Sequence, residues 1–422
     1  MNKLSAIFLL FALALSARAQ DAVTTLAGQA LVSGTANGAG TNALFSDPAA
    51  IVTDTNGNFF VADSQNHAIR KITTNGIVTT FAGQLGVSGA SDGTGTNAQF
   101  DAPSGLAFDK SGNLFVSDTG NGTIREITAA GVVSTFAGIA GQSGFADGAA
   151  GSGQFSSPLG IVVATNGDVF VADSGNHIIR RISGSVVSTF AGSPQVWGST
   201  DGNGTNAQFN GPVGLAFDAR TNLFVSDANN DTIRKIAMDG TVTTFAGAAG
   251  ADGATDGTLN AARFRSPAEL AFDKKGDLFV ADSLNQVIRE ISTNGIVSTV
   301  SGAAGISGSN DGTNGVGRFY NPYGLAVGAN GELMMTDTYN ELVRAVLVPF
   351  KLSLQISGAA HAVTISWDAV IGKKYQVQYG NNLSAAWTNL GLTVTATNLN
   401  LSATDNATGA SPQRVYRVLV TP

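Results

Sequence analysis

Between residues 22 and 348 the chain alternates short apolar runs with clusters of Gly, Asn, Asp and Ser, and the alternation keeps a fixed period. One period reads as four strands: Gly105–Phe108, Asn113–Ser117, Thr123–Ile127 and Val133–Phe136. Runs this short, rich in Val, Ile, Phe and Thr and bounded by turn formers, predict β-strands rather than helices. The turns agree. Asn56-Gly57, Ser111-Gly112, Asn166-Gly167, Lys275-Gly276 and Asn330-Gly331 separate first from second strands. Asn75-Gly76, Asp239-Gly240 and Asn294-Gly295 separate third from fourth, where a two-residue hairpin needs positive φ.

The period is 54 to 55 residues, and six columns hold it in register. Asp63, Asp118, Asp173, Asp227, Asp282 and Asp337 end the second apolar run of each copy. Three residues later stand Asn66, Asn121, Asn176, Asn230, Asn285 and Asn340, and seven residues later Arg70, Arg125, Arg180, Arg234, Arg289 and Arg344. Upstream, Phe45, Phe100, Phe155, Phe209, Phe264 and Phe319 each precede a Pro by three. Four short strands per unit make one propeller blade, so six copies predict an all-β, six-bladed propeller.

The ends of the repeat region complement each other. Val23–Gly28 matches the fourth strand Val78–Gly83, with no first three strands before it. The sixth copy has strands one to three but reads Pro349-Phe350 where the next hairpin would stand. Residues 22 to 28 are therefore expected to pair with residues 342 to 348 and close the ring, leaving no exposed sheet edge.

At the level of these residues, Val171–Arg180 (Val-Ala-Asp-Ser-Gly-Asn-His-Ile-Ile-Arg) and Phe60–Arg70 resemble the NHL repeat, and the resemblance extends over about residues 22 to 348. It implies a platform that binds protein, RNA or small ligands; related propellers include lactonases and lyases. A departure is the long Gly-rich connection between copies, such as Gln84 to Ala102 with Asp92-Gly93, whose counterparts are Asn37-Gly38, Asp147-Gly148, Asp201-Gly202, Asp256-Gly257 and Asp311-Gly312. In propellers these connections share a face with the loops after the second strands, so that face should be thick with loops.

After Phe350 the period stops. Val363–Trp367, Tyr375–Tyr379 and Arg414–Val418 alternate like half-buried strands, and with Trp387 the pattern resembles a small fibronectin type III-like sandwich. Trp367 and Tyr375 read as core. The expected organisation is a signal peptide over residues 1–19, the propeller over 20–349 and this domain over 350–422, serving as an attachment module or as a stabilising cap.

The leader rests on Lys3, the apolar run Ile7–Leu15 and Ala17-Arg18-Ala19. It predicts export, to the periplasm, the cell surface or the medium. Zero Cys excludes disulfides and thiolate metal sites. Removing residues 1–19, with Lys3, Arg18 and no acid, takes the formal charge from −7 to −9. Dispersed acidity argues against nucleic-acid and anionic-membrane partners. No apolar run is long enough for a transmembrane helix.

Candidate chemistry is sparse. The Asp and Arg columns suit a charge-assisted pair inside each blade, because a scaffold repeats in every copy whereas a site does not. His67 and His177 occupy equivalent loops, with His361 far away, too few to converge on zinc. Asp54–Asn58 imitates the start of an EF-hand loop, but position twelve is Gln65 and the flanks are strands. There is no Cys nucleophile or G-x-S-x-G elbow. These observations favour a monomeric, non-catalytic module without cofactor or metal that binds a protein, small molecule or glycan, over a metal-assisted propeller hydrolase or lyase. A single ligand on the axis should make the copies differ, which singles out Asp47, Asp101, Asn210, Arg265, Glu269, Tyr320 and Tyr323 as the expected rim of the channel mouth, with copies five and six dominant.

Overall fold

The computed structural model describes residues 22–313, 315–328, 331–347, 352–357, 362–368, 374–380, 386–397, 400–406 and 414–421. The expected leader, Asn330, Pro349, Phe350 and His361 lie outside the described residues. Contacts divide the chain into a unit of Asp21–Val348 and a second that holds Pro349–Pro422.

The first unit is six antiparallel sheets of five strands each. In the second blade the strands are Pro103–Phe108, Leu114–Asp118, Thr123–Ile127 and Val132–Ala137, with a two-residue outermost strand, Gly93–Thr94, hydrogen-bonded to the last. The four strands read from the sequence are all present, the third with the expected bounds and the others a residue or two longer or shifted at their ends. The fifth was missed because it is carried by the Asp-Gly of the inter-blade connection, a pair of turn formers with no apolar signal. Gly93 and Thr94 are in fact zipped to Val133 and Val132.

The ring closes as the two end segments require. Ala22–Ala27 pairs antiparallel with Leu342–Leu347, setting Thr25 against Arg344 and Val23 against Val346. It also takes the outermost strand Gly312–Thr313, so it is a complete fourth strand of the sixth blade. The imitation extends to its polar contacts: Thr25 Oγ1 donates to Asp311 at 2.9 Å, as Thr135 Oγ1 does to Asp92 at 3.1 Å.

Apolar side chains fill the spaces between blades. Each of six clusters is shared by two successive blades, as where Phe60, Ile69 and Ala82 of the first meet Leu106, Leu114 and Val116 of the second. Burying one such Val, Ile, Leu or Phe is worth about 1.5–3 kcal/mol. Edge-to-face rings recur at these seams: Phe60 lies 4.9 Å from Phe81 and 5.2 Å from Phe108.

Beneath the loops of each blade lies a fully buried ion pair. Arg180 Nη1 donates to Asp173 at 3.1 Å and to the Gln154 carbonyl at 2.6 Å, while Nη2 reaches Asp147 at 2.8 Å and the Ala146 carbonyl at 2.9 Å. Its guanidinium lies 5.1 Å from the centre of the Phe155 ring. Asp173 also accepts from Asn176 and from the amide of Ser156. Burial pushes the carboxyl groups of Asp63, Asp173, Asp227, Asp282 and Asp337 up to about 6, opposed by the arginine, the asparagine and the amide.

The second unit holds a three-stranded sheet of Leu352–Ser357, Ala362–Asp368 and Asn400–Asp405, and a four-stranded one built on Lys374–Gly380. Ile365, Trp367, Tyr375, Val377 and Ala396 form its core. Among the described residues no helix is long and apolar enough to cross a membrane.

Two outcomes follow. Deleting residues 22–27 strips the sixth blade of a strand and bares an edge; the expected result is aggregation or a large fall in melting temperature, and an unchanged melting temperature contradicts it. Arg180→Ala leaves Asp173 buried without its cation and should cost about 3–5 kcal/mol in equilibrium unfolding.

Candidate functional site

The buried knots position one face of the propeller. Asp Oδ1 of each knot accepts the amide of the residue just after the repeated Phe, at 2.6–2.8 Å: Ser46, Asp101, Ser156, Asn210, Arg265 and Tyr320. The carbonyl of that same residue accepts the amide of the residue two beyond the Asp: Gln65, Gly120, Gly175, Asn229, Leu284 and Tyr339, at 2.8–3.2 Å. Every blade thus presents two side chains on one backbone hydrogen bond, at the start of the innermost strand. The pairs read Ser46/Gln65, Asp101/Gly120, Ser156/Gly175, Asn210/Asn229, Arg265/Leu284 and Tyr320/Tyr339.

Identical backbone carries unequal side chains. Blades two and three place a glycine in the second position, whereas blades four to six carry two amides, a guanidinium beside a leucine, and two phenols. Tyr320 and Tyr339 pack edge to face at 5.2 Å and are 40% and 49% exposed. Arg265 reaches Asp252 at 3.4 Å, both exposed. Leu31, 68% exposed, sits beside the tyrosines, since its amide donates to the Asn340 carbonyl.

Of the seven residues expected at the mouth, Asp101, Asn210, Arg265 and Tyr320 occupy this rim. Asp47 is one residue further on, at the seam between blades one and six. Its amide donates to Glu341 Oε2 at 2.7 Å, and burial raises its carboxyl. Asn229, Leu284 and Tyr339 were missed. Their signal was the column two residues after the Asp, which varies as much as the column that was read.

Glu269 lines the cavity inside the channel, and Tyr323 packs against the apolar cluster shared by blades five and six. In each innermost strand the pairing with the second strand shifts register between the Pro and the residue two or three later. Four copies have Gly105, Gly160, Gly214 and Gly324 where the fifth has Glu269. A Cβ at those glycines would come within 2.0–2.3 Å of a carbonyl oxygen of the next blade, so the innermost strands touch backbone to backbone there. Glu269 breaks that layer. Its Oε1 accepts from the amides of Leu270 at 3.2 Å and Leu215 at 3.4 Å. Burial pushes its carboxyl up to about 7, the two amides opposing. The Tyr323 phenol is raised by burial first and by the charge of Glu269 second.

The two propeller histidines close a seam. His67 Nδ1 accepts the amide of Ala102 at 3.1 Å, and His177 Nδ1 that of Gly211 at 3.0 Å, each from the next blade. The same clasp is made by Asp231 to Ser266, Gln286 to Asn321 and Glu341 to Asp47. All five clasp residues are left-handed, with φ from 54° to 61°. In the second blade the position is Gly122, which has no side chain to reach the next blade. Burial lowers the His177 imidazole, in keeping with an Nδ1 that must stay an acceptor. Among the described residues no group of three or more His, Cys, Asp or Glu is placed to hold a metal ion. Asp54 Oδ1 accepts the amides of Asn56 and Asn58, which makes that stretch a hairpin turn.

Comparison with known proteins agrees with this architecture. The NHL repeat profile matches residues 45–72, 100–127 and 155–182. NHL repeat-containing protein 2 of Homo sapiens is 29% identical over 330 residues, covering 69% of this chain and 45% of that protein. The chain spans about half the length of the curated relatives it matches, 45% to 47% for those from Homo sapiens and Gallus gallus. Among solved structures, a Bacteroides thetaiotaomicron protein of unknown function superposes with a TM-score of 0.61 at 21% identity, covering 78% of this chain and 76% of that one. An auxiliary nutrient binding protein of the same organism gives 0.60 at 15% identity, covering 79% and 77%. At these identities the likeness is one of fold.

The missing clasp is testable. Gly122→Asp should copy the Asp231 clasp onto the free amide direction of Ser157, raising unfolding free energy by about 1 kcal/mol, a charged hydrogen bond less the cost of a left-handed non-glycine. A lower melting temperature would show that the seam between blades two and three is built differently.

Proposed function

We propose that this NHL-repeat six-bladed propeller is an exported binding module, and that its ligand sits on the rim of blades four to six. The observation that carries this reading is the asymmetry: one backbone hydrogen bond repeated in every blade bears its bulkiest pairs, Asn210/Asn229, Arg265/Leu284 and Tyr320/Tyr339, on blades four to six, against Ser46/Gln65, Asp101/Gly120 and Ser156/Gly175 on the first three. A scaffold has no use for such bunching. Two half-exposed phenol rings offer apolar faces, Asn210 and Asn229 offer paired donors and acceptors, and Arg265 offers a planar cation. That set suits a ligand with ring C–H faces, hydroxyls and a carboxylate, the chemistry of an acidic glycan. A fold neighbour that is itself an auxiliary nutrient binding protein supports a binding role over a catalytic one. Export rests on residues 1–19 alone.

The test is affinity electrophoresis of the protein through gels containing a panel of soluble neutral and acidic polysaccharides. A retarding polysaccharide should bind the Tyr320→Ala/Tyr339→Ala double variant about tenfold or more weakly, with an unchanged melting temperature. Undiminished retardation of that folded variant, or no retardation by any polysaccharide, overturns the proposal.

A further inference from the structure

We infer that the far half of the channel is a second site, distinct from the rim, which takes a compact apolar molecule bearing one protonated amine, with Glu269 as its counter-ion.

The innermost strands begin at the rim with their prolines, so residues further along them lie progressively deeper. A cavity of about 300 Å³ opens at that depth, among Leu106, Ile161, Leu215, Leu270 and Leu325, and continues past Val52, Val163 and Phe217 toward the ends of those strands. That volume is at the small end of sites for small molecules, about 300–1,000 Å³. The side chains that line it are aliphatic and aromatic, with strand backbone between them, and Glu269 is the one ionisable side chain among the cavity-lining residues.

A lone carboxyl group in such walls is a specific feature. The corresponding positions hold glycine or alanine, so no other copy places a charge there. Glu269 makes no ion pair among the described residues. Its Oε1 is held by two long amide hydrogen bonds, while Oε2 has no hydrogen-bond partner among them. Ionising it there is costly without a cation, because a charge surrounded by apolar groups loses its hydration. A ligand ammonium would supply the missing charge to Oε2 while its hydrocarbon body fills the cavity. The titratable group that feels the charge of Glu269 is Tyr323, whose phenol, raised by burial first and by Glu269 second, stays neutral.

The sign of the pH dependence follows. Glu269, raised to about 7, is protonated in acid and ionised in base. An alkylammonium keeps its charge to about pH 10, so binding should strengthen as pH rises through neutrality. The same shift means that the empty cavity costs stability as pH rises from the ordinary carboxyl range toward 7, since the unfolded chain releases this proton first.

Calorimetric titration of the protein with cyclohexylamine tests the inference, with cyclohexanol and cyclohexanecarboxylate as neutral and anionic probes of similar size. The amine alone should bind, about tenfold more tightly at about pH 8 than at about pH 6. Glu269→Gln should abolish binding, and the rim variant Tyr320→Ala/Tyr339→Ala should bind the amine as the parent does, which separates this site from the rim. Equal binding of cyclohexanol, amine binding that survives Glu269→Gln, or no amine binding at either pH overturns it. So does a preference for the carboxylate, which would make the backbone amides the recognition element. Should Glu269→Gln fail to fold, the pH profile of the parent protein and the three-probe comparison decide.

Discussion

Everything in the propeller hangs on one buried guanidinium per blade. Each arginine ties its own strand to three further pieces of chain: the Asp that ends the second strand, the outer connection at its Asp-Gly or Asn-Gly, and the segment of the repeated Phe, through the carbonyl of the residue before it and the ring beneath. Desolvating an ion pair roughly cancels what the pair returns, so an apolar replacement of equal volume need not be less stable. What apolar packing lacks is direction. The planar fork fixes where the loops begin, and the Asp of the pair then sets the amide from which every rim side chain projects. The ion pair therefore specifies the functional face more than it stabilises the core.

How much was legible in the sequence follows from which residues are constrained by repetition. Asp118, Asn121, Arg125 and Phe100 recur because each blade poses the same geometric problem, and periodicity alone exposes them. Val23–Gly28 could be matched to a fourth strand for the same reason. The outermost strand could not be read, because Gly93 pairs through its backbone and its identity answers a turn requirement instead. Depth was also hidden. Tyr320 and Tyr323 are three residues apart and vary alike among copies, yet one stands on the rim and the other packs into the apolar seam between blades five and six. The register shift after each Pro separates them, and no side-chain pattern records it. The histidines show the converse. His67 and His177 look like chemistry in a chain with three histidines, but Asp231, Gln286 and Glu341 do the same work, and their shared role is an acceptor at a fixed reach.

Variation between copies thus has two physical meanings. At the clasp it is substitution among acceptors with one task, so the differences are neutral. At the rim and at Glu269 it is substitution among groups with different chemistry on unchanged backbone. Glu269 is the sharper instance, since it replaces a glycine-sized residue where neighbouring blades nearly touch and places the one ionisable side chain among those lining the cavity. Such a residue carries a standing cost that ligand binding relieves.

Closure by Ala22–Ala27 also governs the order of events in time. This strand's partner, Leu342–Leu347, lies some three hundred residues downstream, so during synthesis it must wait through five other blades. The entropic penalty of bringing such distant segments together grows only logarithmically with separation, but the search is slow, as folding rates fall with the sequence distance of native contacts. Until then the sixth blade has an open edge and the ring can breathe. The closing seam therefore depends on chain order, and the edge of the sixth blade stays exposed until Ala22–Ala27 meets Leu342–Leu347.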